Sequence, residues 1–213
     1  MSSTGRGTAR SPSDFYPTAP WIVHRLLESP AFDPLGLRWL EPSSGDGAII
    51  RAVDAWRKDA GKPSIEWTAV DIRNECKTSL AAATGDRKRV IIGDFLSPRV
   101  QKSLHRLPQF DVIFTNPPFL LGTVFLTASL KIARNVVFLM RQGFLASEER
   151  ADFMRQHVPD VFQLPNRPSF AGQGKTDSCE YAWMKWRATP VTSGHLVILN
   201  STPRNVRARE EVR

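Results

Sequence analysis

Residues 37–53 read LRWLEPSSGDGAIIRAV. The apolar run at 37–40 predicts a buried strand, and the apolar positions within 48–56 recur at the spacing of a helix face. Between these two elements, Gly45 and Gly47 allow the backbone to turn sharply. A strand, a glycine turn and a helix in this order predict the first half of a βαβ unit, and therefore a parallel sheet.

The rest of the chain alternates in the same way. Further strands are predicted at 65–72, 89–92, 110–115, 135–140, 179–186 and 195–199, and further helices at 21–27, 124–134 and 147–157. Strands separated by helices favour an α/β fold, a Rossmann-like doubly wound sheet that is mostly parallel. The last two strands have no helix between them, which predicts an antiparallel C-terminal hairpin strand at one edge.

The chain is expected to form one domain, over residues 14–200. A length of 213 residues suits a single domain, and 41% hydrophobic residues are enough for a full core. Residues 1–13 are small, polar and basic, which predicts a disordered basic tail. Residues 201–213 are nearly all polar and predict a second polar basic tail.

Charge and composition narrow the function classes. The chain has 29 Lys and Arg against 21 Asp and Glu, and the net charge of +8 favours a polyanionic partner such as nucleic acid. The apolar run at 136–140 is far shorter than the roughly 20 residues of a membrane span. The N-terminus lacks the apolar stretch of a secretory signal. Cys76 and Cys179 are the only cysteines, so we expect a cytoplasmic protein without a disulfide framework or a metal site. Because the apolar runs are short, we also expect no membrane partner.

Acidic residues follow three predicted strands, where parallel sheets bind their ligands. Glu41 and Asp46 flank the glycine turn and would repel phosphate, so a ligand with a positive charge and an amino group fits better. Asp71 ends the second strand, where an acid can accept both hydroxyls of a ribose. Asp94 follows the third strand beside Phe95, and this pair could bind an adenine through its amino group and its ring. Each acid alone is also compatible with an ordinary turn or helix cap.

The fourth strand runs directly into Asn-Pro-Pro-Phe at 116–119. Consecutive prolines have no N–H donor, so the carbonyls of Asn116 and Pro117 are expected to point outward with fixed geometry. A rigid turn closed by an aromatic residue is the simpler interpretation. Residue frequencies make this motif rare at the end of a strand, which favours a functional segment.

The Asn-Pro-Pro-Phe after strand four, together with Glu-Pro-Ser-Ser-Gly-Asp-Gly at 41–47, resembles the class I S-adenosylmethionine-dependent amino methyltransferases. More narrowly, the chain resembles small phage- and prophage-type adenine-N6 DNA methyltransferases. The resemblance covers about residues 14–200. Further stretches that support it lie at 14–21, 138–145, 167–170, 175–177 and 181–183.

This resemblance implies S-adenosylmethionine as the cofactor and the N6 amino group of adenine in DNA as the methyl acceptor. It implies that the catalytic residues are Asn116, Pro117, Pro118 and Phe119. The Asn116 side-chain oxygen and the Pro117 carbonyl would accept the two amino hydrogens, and Phe119 would stack on a target base that has left the helix. The cofactor-binding residues that it implies are Tyr16, Thr18, Glu41, Ser43, Gly45, Gly47, Asp71, Ile72, Asp94 and Phe95.

Other substrates remain open. The same motif serves methylation of adenine N6 or guanine N2 in RNA and of glutamine side chains in proteins, and a non-catalytic nucleic-acid-binding relative is a further alternative. The charge of +8 disfavours a protein substrate but does not separate DNA from RNA. The expected location is the cytoplasm of a bacterium or a phage-infected host cell, in association with the nucleoid. Segments that could contact nucleic acid are 87–89, Arg99, Lys102, Arg106, 171–178 and the C-terminal tail.

Overall fold

The computed structural model describes residues 17–33, 36–170 and 177–211. The strands are β1 Arg38–Glu41, β2 Glu66–Asp71, β3 Val90–Ile92, β4 Phe110–Thr115, β5 Ala133–Arg141, β6 Asp160–Gln163, β7 Tyr181–Arg187 and β8 Leu196–Ile198. The helices are α1 Pro20–Leu27, α2 Ala48–Asp59, α3 Lys77–Thr84, α4 Pro98–His105, α5 Gly122–Leu130, α6 Ala151–Gln156 and α7 Arg204–Glu210. The strands form one sheet in the order β3-β2-β1-β4-β5-β7-β6-β8.

Two apolar layers cover the two faces of this sheet, because side chains alternate along each strand. In β1, Trp39 belongs to the layer that contains α1, α2 and α3, whereas Leu40 belongs to the layer that contains α4 and α5. The ring of Phe114 lies between those of Trp39 and Trp183, with centroids 5.5 Å and 4.6 Å away. Burial on both faces explains why the central strands are continuous apolar runs in the sequence.

The predicted α/β class is confirmed. The strands β3, β2, β1, β4 and β5 are parallel, and β7 is antiparallel to its neighbours β5 and β6. The predicted antiparallel direction at the C-terminal edge is confirmed, but the last two strands do not pair directly, because β6 lies between them and pairs in parallel with β8. Since β6 has only four residues, its own apolar pattern is too short to reveal it.

Several connections contain helices that the sequence pattern did not predict. The crossovers after β2 and β3 are α3 and α4, and α4 begins with Pro98 after the cap Ser97, whose hydroxyl accepts from the Val100 N–H at 3.4 Å. The segment predicted as one helix at 147–157 is a 3₁₀ turn followed by the short α6.

The polar residues 201–213 contain α7, which packs against α1. Val206 of α7 contacts the apolar layer on that side of the sheet. Of the helices that the structure describes, none combines the length and the apolar character needed to cross a membrane.

Candidate active site

The C-terminal ends of β1, β2 and β4 meet at one edge of the sheet. Glu41 ends β1, Asp71 ends β2 and Thr115 ends β4. The Ser43 hydroxyl, in the turn after β1, lies 2.7 Å from the Thr115 hydroxyl and donates to the Asn116 carbonyl at 3.3 Å. These contacts join the glycine turn to the Asn-Pro-Pro-Phe segment, so two of the predicted site segments are in direct contact.

The glycine turn needs glycine at two positions. Gly45 and Gly47 have φ angles of 57° and 86°, in the left-handed region that other residues rarely adopt. A Cβ added at Gly47 would also approach the Ala83 Cβ to 2.8 Å. The resulting turn brings the Gly45 N–H to 2.7 Å from Asp71 Oδ2, to which it donates.

Glu41 has one buried carboxylate oxygen that accepts no hydrogen bond from the described residues. The residue is 1% exposed, and its Oε2 has no partner among the residues that the structure describes. Burial, followed by the charges of Asp46 and Asp71, raises the pKa of Glu41 well above its ordinary value. A buried acceptor of this kind is unfavourable unless a ligand donates to it. The position therefore fits the positively charged amino group of a ligand.

Asp71, on the neighbouring strand, is fully engaged. It is 6% exposed, and its Oδ1 accepts from the backbone N–H of Arg73 at 2.9 Å and from Nε of the same residue at 3.0 Å. Its Oδ2 accepts from the Gly45 N–H. The Arg73 guanidinium thus contacts the oxygens that were predicted to accept from ribose hydroxyls. A ribose would compete with Arg73 for them.

The predicted cofactor residues that follow β2 and β3 differ in their exposure to solvent. Ile72 is 62% exposed and offers an open apolar surface. Asp94 is exposed, and its Oδ1 accepts from the Leu96 N–H at 2.9 Å, which closes the turn before α4. Phe95 is 2% exposed, with its ring centroid 5.0 Å from that of Phe125, so this ring belongs to the core.

The segment before α1 orients the Asn116 side-chain amide. Nδ2 of Asn116 donates to the buried Thr18 hydroxyl at 3.1 Å. The Oδ1 atom is buried and has no partner within the described ranges. An acceptor therefore stays open at the end of β4. Tyr16, which was predicted with Thr18, lies outside the described residues.

The two prolines lead into a tight turn. The Pro118 carbonyl accepts from the Leu121 N–H at 2.8 Å and starts a 3₁₀ turn that continues into α5. The Asn116 carbonyl was expected to point outward, but it accepts from the Ser43 hydroxyl. The open acceptor of Asn116 is accordingly its side-chain oxygen.

Phe119 closes the motif within an aromatic cluster. Its ring centroid lies 5.5 Å from that of Tyr181 and 6.4 Å from that of Phe170. The guanidinium carbon of Arg141 lies 4.9 Å from the Phe119 centroid, in cation–π contact. Arg141 Nε donates to the Tyr181 hydroxyl at 3.2 Å, and that hydroxyl donates to Asp177 at 2.6 Å. Burial and the bond to Asp177 raise the pKa of Tyr181, which keeps its proton.

Sequence reasoning missed Arg73 and Arg141. Arg141 ends an apolar strand, and that position was a visible signal for a residue at the functional edge. Its partner was not visible, because the pairing of Arg141 with Tyr181 depends on the antiparallel register of β5 and β7.

Solved methyltransferase structures have a similar fold. The chain resembles the type I restriction-modification system methyltransferase subunit from Streptococcus thermophilus with a TM-score of 0.61 and 12% identity, over 91% of this chain and 50% of that chain. For a putative class I S-adenosylmethionine-dependent methyltransferase from Listeria monocytogenes the TM-score is 0.58 at 14% identity, over 89% and 66% of the two chains. For a putative RNA methyltransferase from Pyrococcus horikoshii it is 0.52 at 17% identity, over 80% and 81%.

No family model and no curated protein sequence matches the chain. At these identities the likeness shows the fold alone, a mostly parallel Rossmann-like sheet that the chain shares with these methyltransferase structures. The chain spans half the length of the Streptococcus subunit and 66% of the Listeria protein.

Proposed function

We propose that the chain is an S-adenosylmethionine-dependent methyltransferase that methylates the N6 amino group of adenine in DNA. The observation that carries the proposal is the Asn116 amide, whose nitrogen is held by Thr18 while its oxygen is buried and open within the described residues. An open acceptor suits an amino group, which has hydrogens to donate. It lies at the edge where sheets of this kind bind ligands.

The residues after β1 and β2 fit the cofactor. Glu41 offers a buried oxygen to its positively charged amino group, and Gly45 and Gly47 let the backbone approach closely. Ile72 offers an apolar surface to a flat base, and ribose hydroxyls would bind Asp71 by replacing its bonds to Arg73. When bound, the cofactor supplies a methyl group on a sulfonium sulfur. The proposed cofactor site also includes Tyr16, Thr18, Ser43 and Asp94, and Phe95 belongs to it by its position next to Asp94, since its ring lies in the core.

In the proposed mechanism the protein positions an otherwise poor nucleophile, since the lone pair of an exocyclic amine is delocalised into the ring. The Asn116 side-chain oxygen and the Pro117 carbonyl accept the two amino hydrogens, which favours tetrahedral geometry at the nitrogen. Pro118 fixes the turn, and Phe119 stacks on the base after it has left the helix. Catalysis then rests on positioning and electrostatics.

Charge and likeness support a nucleic-acid substrate. The net charge of +8 attracts a polyanion, and the similar structures include a restriction-modification subunit and a putative RNA methyltransferase. DNA is preferred because the motif arrangement resembles that of the adenine-N6 DNA group. Methylation of an RNA base is the second candidate, and the likeness to the Pyrococcus protein favours it over a protein substrate. We place the methyltransferase domain at residues 14–200, after the segment 1–13, and α7 of the segment 201–213 packs against α1 of this domain.

The test is transfer of labelled methyl from S-adenosylmethionine at low salt, followed by digestion to identify the modified nucleoside. The substrates are single-stranded DNA, duplex DNA, structured RNA and a mixed protein extract. N6-methyladenine in DNA is the expected product. Label in RNA or protein would retain the enzyme class and change the substrate. Cofactor binding without transfer to any substrate would contradict the catalytic proposal.

A further inference from the structure

Helix α7 is hydrogen-bonded to the beginning of α1, at the other end of the chain. Glu210 Oε2 accepts from the backbone N–H of Trp21 at 2.6 Å, and Glu211 Oε1 accepts from the indole N–H of the same residue at 3.0 Å. Glu211 Oε1 also accepts from the Ser169 N–H at 3.4 Å. Two neighbouring carboxylates therefore hold one buried tryptophan.

The first turn of α1 lacks a local cap. Its N-cap residue, Ala19, makes no side-chain hydrogen bond, and Pro20 at the first position has no N–H. The Trp21 N–H is thus the first helix donor in need of an acceptor. Glu210 provides that acceptor from a distance of 189 residues along the chain, and its negative charge is favourable at a helix N-terminus.

The same contacts lead to the candidate active site by two routes. Thr18, which holds the Asn116 amide nitrogen, lies three residues before Trp21. Ser169 directly precedes Phe170, whose ring lies 5.2 Å from that of Tyr181. Glu211 is therefore hydrogen-bonded both to Trp21, which follows Thr18, and to Ser169, which precedes Phe170 of the aromatic cluster.

We propose that Glu210 and Glu211 are positioning residues of the methyltransferase site. Through Trp21 they fix the segment before α1, so that Thr18 holds the nitrogen of the Asn116 amide and the oxygen stays open. The inference rests on the proposed function, because Thr18 belongs to the proposed cofactor site. Loss of the two bonds that Glu211 accepts is expected to weaken cofactor binding about tenfold.

The test compares the wild-type full chain with variants that each carry one substitution. Glu211→Ala removes the acceptor, and Glu211→Gln retains an amide oxygen that can accept from both N–H groups. Glu66→Ala is the matched control, since Glu66 is an exposed glutamate at the start of β2, the opposite edge of the sheet. Calorimetry measures S-adenosylmethionine affinity without nucleic acid. NMR follows the Trp21 indole N–H and the Asn116 side-chain amide, with Trp21→Phe and Asn116→Ala identifying their resonances.

We expect Glu211→Ala to weaken binding about tenfold and to shift both resonances. Glu211→Gln should restore both properties, and Glu66→Ala should alter neither. Unchanged affinity and an unchanged Asn116 amide in Glu211→Ala would overturn the positioning role and leave the proposed function intact.

A wild-type chain that neither binds the cofactor nor transfers methyl would contradict the proposed function instead. The Asn116 amide resonances alone would then decide whether Glu211 acts on that side chain. If Glu211→Ala does not fold, Glu211→Asp replaces it, because this change withdraws the carboxylate from Trp21 by one methylene. A shifted Asn116 amide in that variant supports the positioning role, and an unshifted one rejects it.

Discussion

Glu41 and Asp71 end neighbouring parallel strands, and both are nearly inaccessible to solvent, yet their hydrogen bonding is opposite. Asp71 accepts from the Gly45 N–H and from Arg73, whereas Glu41 Oε2 has no partner in the part of the chain that is described. Asp71 therefore stabilises the ligand-free turn, and Glu41 is left in need of a donor. Strand-end position and burial do not separate these two acids, but their unused hydrogen-bonding capacity does.

Asn116 shares this property with Glu41, while Asp111, at the opposite edge of the sheet, does not. There, Asp111 accepts from the N–H groups of Leu37 and Arg38 at 3.0 Å each and pairs with Arg134 at 3.4 Å. The open acceptors of Glu41 and Asn116 agree with a ligand site at the C-terminal edge, whereas Asp111 has no oxygen left for such a role. Substitutions at the two kinds of position should therefore have different consequences.

Removing the open acceptor of Asn116 should have the largest effect. We expect Asn116→Ala to lower the rate of methyl transfer about 10²–10³-fold, the loss typical of one group that stabilises a transition state. Labelled transfer measures the rate, and calorimetry should show that cofactor affinity is largely retained. The matched control is Asn135→Ala, because Asn135 donates to the Asp111 carbonyl at 3.2 Å on the opposite edge. A rate equal to that of wild type would remove Asn116 from the mechanism.

Substitution of the satisfied acid should affect folding as well as binding. Asp71→Ala leaves the Gly45 N–H and the Arg73 side chain without their acceptor, so we expect a loss of about 1–3 kcal/mol in the free energy of unfolding. Asp71→Asn retains one oxygen and should lose less. Denaturant titration measures the stability, and calorimetry the weaker cofactor affinity. If Asp71→Ala had the stability of wild type, Asp71 would not stabilise the ligand-free glycine turn.

Substitution of the unsatisfied acid should change stability in the opposite direction. Glu41→Gln removes a buried ionisable group whose burial is unfavourable, and we expect about 0.5–2 kcal/mol more stability at neutral pH. Cofactor affinity should fall about tenfold, because a neutral amide loses the charge-assisted bond to the amino group. Thermal unfolding and calorimetry measure the two effects on the same sample. A gain in both, or a loss in both, would contradict the role given to Glu41.

The raised pKa of Glu41 also predicts two opposite pH dependences. Between the ordinary pKa and the raised one, the folded chain holds a proton that the unfolded chain releases, so the Glu41 contribution to stability falls as pH rises through this window. Cofactor affinity should weaken as pH falls through the raised pKa, because the amino group binds the ionised carboxylate. Binding should release a proton, which calorimetry in buffers of different ionisation enthalpy detects. Glu41→Gln should lack both dependences.

The strands and turns that form the site were predictable from sequence, because short local sequence patterns identify them. The bounds of β4 were predicted as 110–115, and the glycine turn and Asn-Pro-Pro-Phe lie at strand ends as expected. The four-residue β6 and the polar α7 were not, since β6 is defined by its pairing with β7 and α7 is held by bonds to Trp21. These contacts join segments that are far apart in the sequence, and the apolar periodicity within one segment does not predict them.

The hydrogen-bond occupancy of the site was not predictable for the same reason. Asp71 is engaged because the chain turns back and places Arg73 on it. Asn116 is oriented by Thr18, 98 residues earlier in the chain. A sequence motif therefore identifies which side chains reach the site, but tertiary contacts decide which of their atoms stay open.

Arg141 contacts the aromatic cluster around Phe119. We expect substitution of Arg141 to have the smallest effect on methyl transfer. The cation–π contact with Phe119 is worth about 0.5–1 kcal/mol at a partly exposed site, so Arg141→Gln should lower methyl transfer about two- to fivefold. Tyr181→Phe should act in the same direction, because it removes the hydroxyl that accepts from Arg141. Arg155→Gln, on the exposed face of α6, is the matched control.

Cofactor affinity should be unchanged in Arg141→Gln, because Arg141 contacts the aromatic cluster and neither Glu41 nor Asp71. If cofactor affinity fell as much as the rate of methyl transfer, the aromatic cluster around Phe119 and the cofactor residues Glu41 and Asp71 would be coupled. The two groups of residues would then not act separately. If only the KM for nucleic acid rises, Arg141 helps Phe119 to bind the base. If kcat falls instead, Arg141 maintains the ring orientation that the transition state needs, because only interactions that are stronger in the transition state change kcat.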